Sequence, residues 1–195
     1  MILAAAVILG LAASLVRHRR RAFSRIAAIP LRSAWLAVAA LALQWPLLWA
    51  PAGPPQGLRL QQGFFLLSFV LLLAFVWHNR RLGAILIVGV GVLSNLAVVA
   101  ANGGLMPITP ETLVRINPGS AVQHWPVGNH YGHSKDVVRA QEDTRLWPLS
   151  DRLVVPPPFP WPTAFSLGDV AISIGIIVLL LAPAGTLQRR ICREA

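Results

Sequence analysis

An all-α membrane protein of about five transmembrane helices is what this sequence predicts, and three observations predict it. Of the 195 residues, 55% are hydrophobic and only 12% are charged, whereas a soluble domain carries about 25% charged residues. The apolar residues run in long blocks rather than in short amphipathic stripes. The cations, 17 Lys plus Arg against 7 Asp plus Glu, sit in short runs that abut those blocks. These features exclude a soluble globular enzyme and a disordered acidic tail. A disulfide scaffold is excluded too, because Cys192 is the single cysteine. The basic runs carry no aromatic-laced surface of the kind that reads nucleic acid, so the bilayer and other membrane proteins are the expected partners.

The blocks lie at about 2–16, 34–50, 63–78, 82–101 and 168–184. A spanning helix needs roughly 17–25 residues, which the fourth block meets easily and the second, third and fifth approach. The first, MILAAAVILGLAASLV, is short and is followed by RHRRR. That order is the reverse of a secretory leader, and it reads as a helix that enters from outside. Arg17, Arg19, Arg20, Arg21, Arg25 and Arg32 then fall between helices one and two. Arg80 and Arg81 fall between helices three and four, and Arg189, Arg190 and Arg193 follow helix five. The expected topology therefore has the N-terminus outside, the C-terminus cytoplasmic and all three clusters inside a bacterial inner membrane. Trp35 and Trp77 mark inner helix ends and Trp45 and Trp49 an outer one.

The connection at about 102–167 is too long to be a simple loop and is expected to form a partly helical external cap on a single membrane domain. Thr109 is a predicted N-cap with Pro110 at the first helical position. SKDVVRAQEDTRLW can form a second helix, and PPPFPWP imposes an extended path toward the last span. NGGLMP at 102–107 reads as a helix C-terminus, with Asn102 or Gly103 left-handed.

Polar residues inside spans serve either as packing glue or as a site. Gln44, Ser68, Asn95, Asn102 and Ser173 share the outer half of the predicted bundle and define an expected outward-facing polar pocket that binds a membrane partner or an apolar ligand. Gly83, Gly89 and Gly91 are expected to permit close helix approach. Ser166 and Asp169 have the spacing of a capping box. Asp151, beyond the proline run, is placed to meet Asp169, and two carboxylates sharing one site split their pKa values, as a water-activating dyad requires. His124, His130 and His133, with Asp136 as a fourth ligand, are spaced to hold Zn or Cu. A metal-handling or small transport protein is the role that cluster implies. No cofactor motif is present.

FSLGDVAISIG at 165–175 resembles the terminal motif of lipoprotein signal peptidase, signal peptidase II, in which the aspartate equivalent to Asp169 is one of two catalytic aspartates. The resemblance implies a membrane-embedded aspartyl peptidase. In that family the second aspartate follows an asparagine near the end of the third helix. The stretch after Asn95 here, LAVV, holds no acid, and Asp151–Arg152 supplies the Asp-Arg pair instead. Over nearly the whole chain, the short first helix, NGGLMP, DTRLWPLSD at 143–151 and the S-x-G-D start of the last helix resemble an uncharacterised bacterial family of small multipass membrane proteins. That likeness implies a fold and no activity.

Overall fold

In the computed structural model, which describes residues 2–182, the chain is mostly helical. Its principal helices are α1 (Ile2–His18), α3 (Trp35–Leu48), α4 (Arg59–His78), α5 (Gly83–Ala101) and α7 (Leu167–Leu181). Between the first two lies the short α2 (Ala22–Ala27), joined to α1 through a 3-10 turn at Arg19–Arg21. The helices form because the apolar blocks contain few residues that compete with the backbone for hydrogen bonds. The segment Ile2–Ala27, α4 and α5 are long and apolar enough to cross a membrane, while α3 and α7 are shorter apolar helices. The last residues of the fifth predicted span, the tail arginines Arg189, Arg190 and Arg193, and Cys192 lie outside the described residues.

The helices pack as a row in the order α3, α4, α5, α7, α1. Small residues set its closest approaches. A Cβ on Gly89 would sit 2.7 Å from Val76 of α4, one on Gly175 2.8 Å from the Ala84 carbonyl, and one on Gly91 would run into the Gly168 carbonyl. Gly89 and Gly91 thus act as expected, whereas a Cβ on Gly83 would meet nothing among the described residues. At one end of the row Asn79 clamps the segment before α3. Its Oδ1 accepts from the Arg32 amide at 2.7 Å and its Nδ2 donates to the Arg32 carbonyl at 2.8 Å. The Arg25 guanidinium donates to the Ala182 carbonyl at 3.4 Å, bringing α2 and the end of α7 to the same place.

The 102–166 connection packs over the other end. Gly103 and Gly104, at φ +85° and +90°, turn the chain out of α5. The Gly104 amide closes the helix by donating to the Val99 carbonyl at 2.9 Å. Then follow β1 (Met106–Ile108), α6 (Pro110–Ile116), β2 (Asp136–Val138), β3 (Leu153–Val155) and β4 (Thr163–Phe165). Thr109 caps α6 and Pro110 opens it, as the sequence predicts. The second predicted helix is corrected: Asp136–Val138 is a strand, parallel to β1. The β-branched Val137 and Val138 are poor helix formers, and both are buried by that pairing. PPPFPWP joins β3 to its antiparallel partner β4. One core of buried residues runs from Phe65, Phe69 and Val92 on the helices into Leu105, Met106 and Val137 of the connection. A smaller core of Ile108, Leu113 and Val138 belongs to the connection itself.

Candidate functional site

At the mouth between α5 and α7 four hydrogen bonds close a knot. The Ser166 hydroxyl accepts from the Asp169 amide at 2.9 Å, and the Asp169 carboxylate accepts from the Ser166 amide at 3.2 Å. Asn95 of α5 completes it, donating to Asp169 Oδ1 at 2.8 Å and accepting from the Ser166 hydroxyl at 2.8 Å. The capping box read from the sequence is therefore present, and a neighbouring helix extends it. Gly168 makes this possible, since a Cβ there would overlap the Asn95 amide.

Beside the knot lies a charged cluster. Asp151, 2% exposed, is paired through Oδ2 with the Lys135 ammonium, which also lies 3.1 Å from Asp136. The other carboxylate oxygen of Asp151, Oδ1, is buried with no hydrogen-bond partner among the described residues, and so is Trp147 Nε1. Burial disfavours the charge on Lys135, but Asp136, Asp151 and Asp169 outweigh it and hold the ammonium well above the usual lysine range. Burial pushes the Asp151 carboxyl up to about 7 against the pull of Lys135, with Asp136 and Asp169 adding repulsion. Asp169 thus contributes to the field at Asp151, while each carboxylate keeps its own hydrogen-bond partners. Lys135, at the centre of the cluster, is the residue that sequence reading missed. The chain bends sharply on both sides of this cluster: His133 and Leu146 adopt φ of 57° and 56°. The left-handed region is unfavourable for non-glycine residues and persists where surrounding contacts enforce it.

The other expected pocket residues are distributed rather than gathered. Gln44 donates to Ser68 at 3.0 Å, tying α3 to α4. Asn102 clamps Arg145, donating to its carbonyl at 2.8 Å and accepting from its amide at 3.0 Å, so the end of α5 holds the connection down. The Ser173 hydroxyl is buried without a partner among the described residues. The three histidines do not converge. Both ring nitrogens of the buried His130 face carbonyl oxygens, of Pro51 at 3.0 Å and Ser134 at 2.8 Å. His124 Nδ1 accepts from the Ala121 amide at 3.0 Å. Among the described residues, no three His, Cys, Asp or Glu side chains are grouped to hold a metal ion.

A larger concavity opens within the connection. A groove of about 1130 Å³ runs between α6 and β3, walled by Val122, Val127, Trp147, Val154 and Phe165. Charges of both signs border it, from Glu111, Arg115, Glu142 and Arg152. The Arg152 guanidinium lies over the Trp147 ring at 4.7 Å, which fixes one wall.

The model of the family of unknown function DUF5317 matches residues 28–181. The chain belongs to that family. The DUF5317 match takes in the α5–α7 knot, the charged cluster and the groove, and begins after α2. No curated protein and no solved structure matches the chain.

Proposed function

We propose that this DUF5317 protein is a multipass membrane protein that binds an amphipathic segment of a partner protein in the groove of an external cap. The groove carries the reading. At about 1130 Å³ it lies at or above the upper end of the roughly 300–1,000 Å³ typical of small-molecule sites. Its apolar walls and bordering charges of both signs suit a polypeptide better than a purely apolar ligand. Orientation follows from charge: residues 1–110 contain no Asp or Glu, and their Arg runs cluster at the end opposite the cap. The positive-inside rule then puts the cap outside the inner membrane of a bacterium.

A peptide-display library panned against the protein in nanodiscs tests this. Enriched peptides should combine apolar residues with charges, and Val127→Trp, which fills the groove from an exposed position, should weaken them at least tenfold. Equal binding to that variant would retire the groove. Charge reversal at Arg152 should shift the preference toward basic peptides.

A membrane-embedded aspartyl hydrolase is the second reading, favoured by the free buried oxygen of Asp151 and by the charge that Asp169 places near it. It requires that Asp151→Asn and Asp169→Asn each abolish cleavage of a membrane-peptide reporter without altering the fold. The occupied oxygens of Asp169 favour the binding reading instead.

A further inference from the structure

Residues 153–168 hold no Asp, Glu, Lys, Arg or His, whereas acids and bases are scattered through 111–152. The uncharged stretch is the β3–β4 hairpin with its PPPFPWP turn, and it runs into α7 through the Ser166 cap. At the turn Phe159 is about half exposed and Trp161 is 62% exposed. Leu167, the first residue of α7, is exposed as well.

The backbone of the turn points to what these aromatic side chains meet. Five of the seven residues at 156–162 are prolines, which carry no amide hydrogen. Of the other two, Phe159 donates its amide to the Pro156 carbonyl at 3.3 Å. The turn therefore has almost no donor to lose on leaving water. In water or against a protein an amide hydrogen finds an acceptor, so its removal gains nothing there. Beside acyl chains it finds none, and that cost is what keeps irregular loops out of lipid. The tether is short too: from Trp161 to Ser166 is five residues, no more than about 18 Å of extended chain. The turn thus stays close to the level at which α7 begins.

We propose that the PPPFPWP turn is an interfacial anchor, with Phe159 and Trp161 set into the headgroup–acyl boundary of the outer leaflet. The partner is a phospholipid surface. The proposal rests on the multipass reading above and not on the occupant of the groove. An indole suits that depth because its ring is apolar and its N–H meets the wet headgroup layer. Apolar burial drives the insertion, so it does not discriminate headgroup charge. Val154 and Phe165 of the same hairpin wall the groove, and the anchor holds that wall near the membrane.

The experiment uses the full-length protein carrying Cys192→Ser, spin-labelled at one introduced cysteine and reconstituted in phosphatidylcholine nanodiscs. Relaxation by oxygen, which concentrates in lipid, is compared with relaxation by a neutral nickel chelate, which stays in water. Phe159→Cys and Trp161→Cys are labelled separately, so that each keeps the other aromatic side chain. Val38→Cys, exposed on α3, gives the lipid reference, and Val127→Cys, exposed at the groove, gives the water reference. Both turn labels should show an oxygen-to-nickel ratio severalfold above that of Val127→Cys and below that of Val38→Cys. Exchanging phosphatidylcholine for phosphatidylglycerol should leave the ratio unchanged. Turn labels as open to nickel as Val127→Cys, with Val38→Cys still shielded, would overturn the anchor and leave the turn to a soluble partner. A ratio that rises only with phosphatidylglycerol would show charge attraction and overturn aromatic insertion. A water-like Val38→Cys would instead overturn the multipass reading, and the anchor with it.

Discussion

Asp169 and Asp151 are both nearly inaccessible carboxylates, at 7% and 2% exposure, yet they have opposite characters. Both oxygens of Asp169 already accept a hydrogen bond, one from Asn95 and one from Ser166. Asp169→Ala would leave those two donors without partners, at a cost of about 1–3 kcal/mol. Asp169→Asn, which still accepts one bond, should cost on the order of 1 kcal/mol. Thermal melts of the two variants should rank in that order, and a silent Asp169→Ala would show that the knot holds nothing. Asp151 leaves one oxygen unanswered among the described residues. Its carboxyl, raised to about 7, binds a proton in the folded state that an unfolded carboxyl, with a pKa near 4, has already released. The sign follows from linkage: the contribution is complete below about pH 4 and is lost as pH rises through about 7. The thermal midpoint should fall over that interval, and Asp151→Asn should flatten the fall. An unchanged slope in the variant would mean that another group titrates. Lys135 stays protonated throughout the interval, so it contributes no slope there.

At the level of elements, α5 and α7 approach to backbone contact at three glycines. Gly91, Gly168 and Gly175 form that seam. Gly175→Leu should destabilise by at least the 1–3 kcal/mol typical of overpacking, whereas Gly83→Leu, facing open space, should be nearly neutral. Comparable melting of the two would contradict the seam. The helices were legible in the sequence because each is a single apolar run whose ends fall within a few residues of a charge, a proline or a glycine. Caps were legible for the same local reason: Thr109 with Pro110 and Ser166 with Asp169 need only a window of four residues. The strands were not, since each is only three residues long and β1 and β2 lie far apart in the chain. Met106–Ile108 pairs with Asp136–Val138 across the whole of α6 and the loop after it. Lys135 was invisible in the same way. A single lysine between Ser134 and Asp136 reads as surface until the fold brings Asp151 onto it. Two of the histidines that lie close in sequence have separate backbone partners, His124 at the Ala121 amide and His130 at the Pro51 and Ser134 carbonyls.

Taken as a whole, the molecule has two unlike ends: one basic and nearly without acids, the other a folded layer that carries charges of both signs. If the basic end is cytoplasmic, a cysteine introduced at Ser134 should label from outside intact cells and one at Arg20 only after the membrane is breached. The inverse pattern would reverse the orientation proposed above. The position of α1 carries a different consequence. It lies at the edge of the row, and its chief neighbour is α7, with Gly10 set against Leu180 and Ile177. These helices lie at opposite ends of the chain, about 150 residues apart. At a synthesis rate of about 5–20 residues per second, that separation corresponds to roughly 8–30 s. Helix α1 therefore leaves the ribosome well before α7, and until α7 arrives it lacks its chief partner. During biogenesis the α3–α4–α5 block can assemble early, and the closing event is the capture of a parked helix by its late partner.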